Sequence, residues 1–278
     1  MDYQDCILIT DMDGTLLNDE RGISKKNQAA IDFFIGQGGK FAVATGRTAK
    51  SAATFLKLTQ VNAPCIFYNG AVLYDWNEHK VLQTKKVNSQ ELIHFIQDCM
   101  KEYPTICIQI YTMEKIYIIT GEKSWDFQII GPRHHFVYCD LAEIMQEEWI
   151  KVMFAAKREV LEDCCKHLAT YQLDKTTNHF FSADYYFEFV GKAVSKGTMA
   201  SDMLRLQDFQ GKTVFAAGDF HNDIEMLEMA DVGIAPANAE PEVKAVANIV
   251  SVSNRDDLMD AIVHRVMPDY FGAIRKKA

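Results

Sequence analysis

The chain has 278 residues, of which 48% are hydrophobic and 24% are charged, and its formal net charge at pH 7 is −9. These values are ordinary for a globular protein, and the length suffices for one large domain or two modest ones. An acidic chain disfavours an extended nucleic-acid surface, because phosphate backbones bind basic surfaces. No apolar run approaches the roughly 18 residues of a membrane helix. We therefore expect neither nucleic-acid nor membrane partners.

The N-terminus and the cysteines favour a cytoplasmic location. Asp2 and Asp5 stand where a signal peptide carries basic residues, and the apolar run that follows is too short for one. The seven cysteines are an odd number and include no C-x-x-C pair. Cys6, Cys65 and Cys107 lie in apolar, strand-like runs, where we expect buried structural thiols.

The first third of the chain alternates strands and helices. Near-continuous apolar runs predict buried strands at residues 5–10, 41–44 and 65–68. Between the first two, a helix is expected to begin after Ser24, which can cap its N-terminus, and to stop at the glycines 38–39. Alternating helices with such apolar strands is typical of a parallel sheet covered on both faces.

The pattern changes between about residue 83 and residue 190. Strands there alternate polar and apolar residues and come in pairs, as at 107–111 and 116–119. Two amphipathic helices are predicted, at 90–101 and 157–171. This pattern indicates an α+β insert with an antiparallel sheet.

Parallel-sheet signals return near the C-terminus. Apolar runs at 213–217 and 232–235 predict two further buried strands, separated by a helix. We therefore expect a discontinuous core domain formed by residues 1–83 and 190–278, with residues 84–189 as an inserted cap domain.

Four polar clusters follow predicted strand ends. They are Asp11 with Asp13, the run Thr45–Gly46–Arg47, the pair Asn69–Gly70, and the run from Gly218 to Asp223. Ligands of open α/β sheets bind at the carboxyl edge, so we expect Asp11, Asp13 and Asp219 to share one pocket. Two bare carboxylates about 4 Å apart repel by roughly 4 kcal/mol at an effective dielectric of about 20, so either some of them are protonated or a cation lies among them, and a cation site is the expectation. An all-oxygen ligand set suits Mg²⁺, while separate surface turns and helix caps are the alternative.

Asp11 and Asp13 stand on a glycine-containing turn behind the first strand. Such a pair can divide a phosphoryl transfer, because one carboxylate can attack phosphorus while the other handles the proton of the leaving group. Asp and Gly also favour ordinary turns for local reasons. Residues 11–15 alone leave both interpretations open.

Lys196 is the candidate cationic side chain of the site. Ser195 is expected to cap a helix, which puts Lys196 in its first turn, where a positive charge opposes the helix dipole. That position is explained if Lys196 faces an anion bound at the helix end. An exposed, solubilising lysine is the alternative.

Competing motifs fail on spacing. A calcium loop beginning at Asp11 needs Gly and Glu where Leu16 and Gly22 stand. A Walker A loop ending at residues 211–213 needs Gly where Leu206 stands.

Four motifs in order resemble those of the haloacid dehalogenase-like (HAD) superfamily. They are D-M-D-G-T-L-L at 11–17, A-T-G-R at 44–47, S-K-G at 195–197 and G-D-F-H-N-D-I-E-M-L at 218–227. The long insert, the Asn69–Gly70 pair and the run A-N-A-E-P-E-V-K at 237–244 narrow the resemblance to the Cof-type class IIB hydrolases. Two departures concern loop geometry: Thr10 stands where an apolar residue is usual, and residues 236–237 are Pro-Ala instead of Met-Gly.

This resemblance implies an α/β fold, with a Rossmann-like three-layer α/β/α core, a mainly parallel sheet and an inserted α+β cap domain. It implies that Asp11 is the nucleophile that becomes an aspartyl-phosphate, and that Asp13 protonates the leaving oxygen and then activates water. The implied Mg²⁺ ligands are Asp11, Asp13 through its main-chain carbonyl, Asp219, and Asp223, which supports the ion or orients Lys196. The implied phosphate-binding residues are Thr45, Gly46, Lys196 and Asn222. The candidate substrate-binding residues are Arg47, Asn69, Gly70 and, from the cap, Glu188.

The sequence therefore predicts a Mg²⁺-dependent phosphomonoester hydrolase whose cap closes over small phosphorylated metabolites. Sugar phosphates are the first expectation, with pyridoxal phosphate and mononucleotides behind them. A phosphotransferase or mutase that uses the same aspartyl-phosphate is one alternative. A non-catalytic regulator that binds sugar phosphates is the other.

Overall fold

The computed structural model describes residues 3–121 and 136–277. Among these residues, no helix has both the length and the apolar character needed to cross a membrane.

The chain folds into two compact units. The first combines Met1–Gln83 with Ser195–Ala278, and the second comprises Thr84–Val194. The second unit ends at Val194, five residues after the boundary expected at residue 189, because strand Tyr186–Gly191 is paired within that unit. The roles of the two units as catalytic core and cap stay predictions.

The elements are numbered in chain order. The first segment contains the strands β1 (Cys6–Thr10), β2 (Lys40–Val43), β3 (Cys65–Phe67), β4 (Val72–Asp75) and β5 (Lys80–Thr84) and the helices α1 (Lys25–Gly36) and α2 (Ala49–Leu56). The middle segment contains β6 (Cys107–Tyr111), β7 (Ile116–Ile118), β8 (Phe136–Tyr138), β9 (Lys151–Ala155), β10 (Thr177–Ala183) and β11 (Tyr186–Gly191), with α3 (Gln90–Glu102), α4 (Leu141–Ile144), α5 (Arg158–Cys165) and α6 (Leu173–Thr176). The last segment contains β12 (Thr213–Ala217), β13 (Val232–Ala235), β14 (Ile249–Val250), α7 (Lys196–Leu204), α8 (Ile224–Met229), α9 (Pro241–Val246), α10 (Leu258–Ala261) and α11 (Met267–Lys277).

The first unit is built on a parallel sheet with the strand order β14–β13–β12–β1–β2. Strand β1, which pairs with β12 on one side and β2 on the other, is buried along its whole length, as its continuous apolar run predicts. On one face, Ile7 and Ile9 pack in a cluster with Met199 and Met203 of α7 and with residues of α8 and α9. Helices α1 and α10 pack against each other, and α1 also contacts β2. The predicted α/β fold with a mainly parallel sheet is confirmed.

Strand β3 departs from the expected parallel sheet. It pairs antiparallel with β4 in a separate sheet of order β3–β4–β5, and one parallel bridge, between Ala44 and Ile66, keeps it beside the end of β2. The chain turns at Tyr68–Gly70 directly into β4, so the hairpin partner takes up the hydrogen bonds along β3.

The second unit contains a sheet of order β10–β11–β9–β6–β7–β8, antiparallel except for the pair β7–β8. A hydrophobic core that includes Ile96 of α3, Phe154 of β9 and Leu161 of α5 covers one face. The predicted α+β insert is confirmed, but the helix predicted at 157–171 is too long. Helix α5 ends at Cys165, because the following N–H groups bond three residues back, in tight turns.

Candidate active site

The first strand leads directly into the candidate site. The N–H of Asp11 donates to the carbonyl of Ala217 at 2.8 Å, so Asp11 begins its loop beside the end of β12. Gly14 turns this loop with a φ of +81°, and a Cβ at that position would overlap the carboxylate of Asp219. The close approach of the two loops brings Asp11 and Asp219 to one edge of the sheet.

Four charged side chains meet at this edge, and we call them the carboxylate cluster: Asp11, Lys196, Asp219 and Asp223. The Nζ of Lys196 donates to Oδ1 of Asp11 at 2.5 Å and to Oδ1 of Asp223 at 2.6 Å. One oxygen from each of the three carboxylates lies within 4.8 Å of the other two. Lys196 is only 1% exposed, so water screens these charges very little.

Helix α7 positions Lys196. Ser195 caps the helix, accepting the N–H of Thr198 at 3.0 Å, and this places Lys196 in the first turn. Gly70 lies against this turn with a φ of +102°, and a Cβ there would overlap the carbonyl oxygen of Ser195. A glycine at position 70 therefore allows the β3–β4 connection to pack on the start of α7.

Asp223 is held by its own loop. Its Oδ2 accepts the main-chain N–H groups of Asp219 at 3.0 Å and of Phe220 at 3.1 Å, while its Oδ1 faces Lys196. Both oxygens therefore already have hydrogen-bond donors. This arrangement orients Lys196 and the loop that carries Asp219.

Sequence reasoning missed two residues of the site. The hydroxyl of Thr15 donates to Oδ1 of Asp219 at 2.6 Å and fixes that carboxylate. The side-chain amide of Asn238 donates to the carbonyl of Gly14 at 2.8 Å, while its oxygen accepts the N–H of Asn254 at 2.9 Å. The only sequence signals were a threonine beside the acidic pair and an asparagine in the 237–244 run.

The electrostatics of the carboxylate cluster are unbalanced. Burial raises the pKa of the Asp11 carboxyl above its usual range, and the nearby Asp223 and Asp219 carboxylates add to this in spite of Lys196. Burial also raises the pKa of Asp219, to about 6. Burial alone would lower the pKa of the Lys196 ammonium, but Asp11 and Asp223 offset this and raise that pKa. When all three carboxyl groups of the cluster are ionised, they outnumber the one ammonium, which leaves a surplus of negative charge.

A second polar group forms at the ends of β2 and β3. Thr45 is buried, and its hydroxyl oxygen accepts the N–H of Arg47 at 3.2 Å. The side-chain amide of Asn222 donates to Oδ1 of Asn69 at 2.9 Å, and a Cβ on Gly46 would lie 2.8 Å from that same oxygen. The structure therefore brings together Gly46, Asn69 and Asn222. Their contacts with phosphate or substrate stay predictions.

Asp13 does not join the three clustered carboxylates. Its side chain is 53% exposed and accepts two hydrogen bonds from Arg47, from Nε at 2.6 Å and from Nη2 at 2.5 Å. Its carboxylate lies outside the group of three, although its charge contributes to the raised pKa of Asp219, and the expected shared pocket stays a prediction. Its role as a metal ligand concerns the main-chain carbonyl and stays a prediction, as does substrate binding by Arg47.

Glu188 lies in β11, within the second unit. Its Oε2 is 3.1 Å from the Nζ of Lys151 on β9, and Lys151 also lies over the ring of Tyr111, 4.5 Å from the ring centre. Sequence reasoning did not identify Lys151 as the partner of this carboxylate. Substrate binding by Glu188 stays a prediction.

Comparison with known proteins agrees with this geometry. A family model described as haloacid dehalogenase-like hydrolase matches residues 8–263. The 5-amino-6-(5-phospho-D-ribitylamino)uracil phosphatase YcsE of Bacillus subtilis is 27% identical, over 94% of this chain and 96% of its own length. The pyridoxal phosphate phosphatase YbhA of Escherichia coli is 25% identical, over 93% of this chain and 97% of its own length.

The fold is shared with solved structures as well. A sugar phosphatase of HAD subclass IIB superimposes with a TM-score of 0.73 at 20% identity, covering 93% of this chain and 98% of that one. Most of both chains is therefore matched. Because the family model spans most of its residues, the chain belongs to the haloacid dehalogenase-like hydrolases.

Proposed function

We propose that this enzyme is a Mg²⁺-dependent phosphatase that hydrolyses small phosphorylated metabolites, sugar phosphates first, through an aspartyl-phosphate on Asp11. The observation that carries the proposal is the carboxylate cluster at the carboxyl edge of the sheet, in which three carboxylates lie close together and two of them contact one buried ammonium. The named relatives, which act on a phosphoribitylamino-uracil and on pyridoxal phosphate, support a small phosphorylated substrate.

The residues of the cluster fit a hard divalent cation. All the donors are oxygens, and Thr15 and the main chain already orient two of the carboxylates. We propose that Asp11, Asp219, Asp223 and the main-chain carbonyl of Asp13 hold the ion. When bound, Mg²⁺ would neutralise the surplus negative charge, favour the ionised form of Asp11 and stabilise charge on the phosphoryl oxygens.

In the first step, a carboxylate oxygen of Asp11 attacks phosphorus. A P–O bond to Asp11 forms, the P–O bond to the leaving group breaks, and Asp13 gives its proton to the leaving oxygen. Lys196 remains beside Asp11 and offsets the charge of the phosphoryl oxygens, and we assign Thr45, Gly46 and Asn222 as further phosphate-binding residues.

In the second step, water attacks the phosphorus of the aspartyl-phosphate. Asp13, now ionised, accepts a proton from that water, the P–O bond to Asp11 breaks, and inorganic phosphate leaves. Both carboxyl groups return to their starting states. In a phosphotransferase or mutase, a sugar hydroxyl would take the place of the water in this step.

A phosphate-release screen tests the proposal. Purified protein is incubated with metabolite monoesters in Mg²⁺ or in EDTA, beside Asp11→Asn and the control Asp32→Asn, whose residue is exposed on α1. We expect release that requires Mg²⁺, disappears in Asp11→Asn and persists in the control. Full turnover by Asp11→Asn would refute the covalent mechanism. Transfer to a sugar without release would establish the phosphotransferase, and binding without any transfer would establish the regulator.

A further inference from the structure

The Asp13–Arg47 pair has a geometry that the general mechanism does not explain. Two N–H groups on one edge of the guanidinium, Nε and Nη2, donate to the two separate oxygens of Asp13, at 2.6 and 2.5 Å. Such a two-bond contact fixes the plane of a carboxylate as well as its position. Among the described residues, Arg47 supplies both hydrogen bonds that this carboxylate accepts.

Arg47 is itself fixed on several sides. Its guanidinium carbon lies over the ring of Phe55, 4.4 Å from the ring centre. The main-chain N–H of Arg47 donates to the hydroxyl of Thr45 at 3.2 Å, and its main-chain carbonyl accepts the N–H of Tyr68 at 3.1 Å. Arg47 is therefore a rigid part of the β2–α2 loop, whereas the half-exposed Asp13 depends on it for orientation.

Most N–H groups of the Arg47 guanidinium already have partners within the protein, so few remain for a ligand. Nε and Nη2 are directed at Asp13, Nη1 lies 3.5 Å from the hydroxyl of Ser51, and one face of the guanidinium is covered by Phe55. A substrate-binding arginine would direct its N–H edge at the substrate. This edge is directed at the carboxylate that our proposed mechanism uses twice.

We propose that Arg47 is a positioning residue that holds the carboxyl group of Asp13 in one orientation for both proton transfers, and that it does not bind the substrate. The inference rests on the proposed function, because it requires Asp13 to act as the general acid and base. Two hydrogen bonds to the carboxyl oxygens leave the remaining lone pairs of those oxygens for the proton that is transferred. Arg47 thus reduces the number of orientations that are accessible to the Asp13 side chain during each proton transfer.

The test separates leaving groups that need a proton from one that does not. The leaving group of glucose 6-phosphate would be an alkoxide, so its departure requires the general acid. The leaving group of p-nitrophenyl phosphate is the stable p-nitrophenolate, which needs no proton. We measure the rate of the first turnover by rapid quench for both esters in the wild type, Arg47→Gln, Asp13→Asn and the double variant. Arg47→Lys keeps the charge but cannot form the two parallel bonds, and it serves as a second variant in case Arg47→Gln folds poorly.

We expect Arg47→Gln to slow phosphorylation by glucose 6-phosphate by about 10- to 100-fold, part of the roughly 100- to 10,000-fold that general acid catalysis supplies. The concentration of that ester at which the first-turnover rate is half-maximal, and the first-turnover rate with p-nitrophenyl phosphate, should each change by less than about twofold. In the Asp13→Asn background, Arg47→Gln should add less than about twofold, because the residue acts through Asp13. Arg47→Lys should fall between the wild type and Arg47→Gln.

The matched control is Arg158→Gln in the second unit. The Nε of Arg158 lies 2.8 Å from Oε1 of Glu162, and its guanidinium carbon lies 3.5 Å from the centre of the Phe181 ring, so it too contacts a carboxylate and an aromatic ring. Its loss should change neither rate.

Three results would overturn the assignment of Arg47: equal losses with both esters, a large rise in the half-saturating concentration of glucose 6-phosphate, or full additivity with Asp13→Asn. In each case the wild type would still release nitrophenolate, and Asp11→Asn would not. A wild type that releases none, or an Asp11→Asn variant that releases it at the wild-type rate, would instead overturn the proposed function, and the assignment of Arg47 with it.

Discussion

The two units bury charged side chains in opposite ways. In the second unit, Lys151 meets one carboxylate, that of Glu188, and both side chains are about 90% buried, with exposed fractions of 12% and 8%. In the first unit, the ammonium of Lys196 contacts two carboxylates, and the carboxylate of Asp219 lies close to both of them. One set is balanced and the other carries surplus negative charge.

This difference separates a carboxylate with a nearby ammonium from a group of carboxylates that outnumbers its ammonium. A buried ion pair offsets its own desolvation, whereas each additional buried carboxylate adds repulsion and desolvation without a partner. Burial raises the pKa of Asp219, and the neighbouring Asp223 carboxylate raises it further. Charge surplus in a buried site is thus a stronger indication of function than burial or charge alone.

The largest effect is expected for Lys196→Met. The change leaves Asp11 and Asp223 without their shared ammonium, so we expect catalysis to fall by about 1,000-fold or more. Unfolding of the metal-free protein should become easier by about 3–5 kcal/mol. Phosphate release and urea unfolding measure the two effects. Unchanged activity in Lys196→Met would contradict the account of this site.

The second test concerns the contact that positions Lys196. Gly70→Ala places a Cβ where the carbonyl oxygen of Ser195 lies, at a residue with positive φ, so we expect a loss of about 3–5 kcal/mol in unfolding free energy. Gly36→Ala is the matched control: nothing lies within 4 Å of its added Cβ, and it should stabilise α1 by about 0.5–1 kcal/mol. Equal effects of the two changes would show that the β3–β4 turn does not depend on this close approach.

The third test concerns the balanced pair. Lys151→Met removes the ammonium beside Glu188 and should destabilise the protein by about 1–3 kcal/mol, since both side chains retain some contact with water. The double variant Lys151→Met/Glu188→Leu should recover most of that loss, because it removes both charges. Thermal unfolding measures both. A double variant no more stable than the single variant would show that Glu188 is not confined to this pair.

The smallest effect is a dependence of stability on pH. The pKa of Asp219 is raised from 3.8 to about 6 in the folded protein, so the folded state binds this proton more tightly than the unfolded state. The stability that this group contributes is therefore complete below about pH 4 and is lost as pH rises through about 6. Relative to Asp219→Asn, the metal-free wild type should lose about 1–2 kcal/mol across this interval, as measured by denaturant unfolding. Saturating Mg²⁺ should reduce this dependence, and a loss unaffected by Mg²⁺ would assign it to another group.

Much of the fold followed from local patterns. Apolar runs placed β1, β2, β12 and β13 correctly, because strands of a buried parallel sheet are apolar on both faces. Ser24 and Ser195 cap helices as expected, because their side chains offer the oxygen that the first turn lacks. The antiparallel pairing of β3 with β4 and the early end of α5 depend on hydrogen bonds that form only in the folded protein. No local sequence pattern encodes them.

The same limit applies to the candidate site. Asp11 and Asp219 were expected together, because the carboxyl ends of parallel strands meet at one edge of the sheet. Thr15 and Asn238 were missed, because hydroxyl and amide side chains are common in turns and these two act on distant loops. The Lys151–Glu188 contact depends on the register of β9 against β11, which the sequence does not specify.

Titration of Mg²⁺ into metal-free protein, followed by calorimetry, tests the central claim most directly. We expect the wild type and Lys151→Met to bind one ion with similar affinity, and Asp219→Asn to bind it about 10- to 100-fold more weakly, because it loses a charged ligand. This outcome would assign the surplus charge of the first unit to a cation. A wild type that binds no Mg²⁺, or an Asp219→Asn variant that binds it equally well, would contradict that assignment.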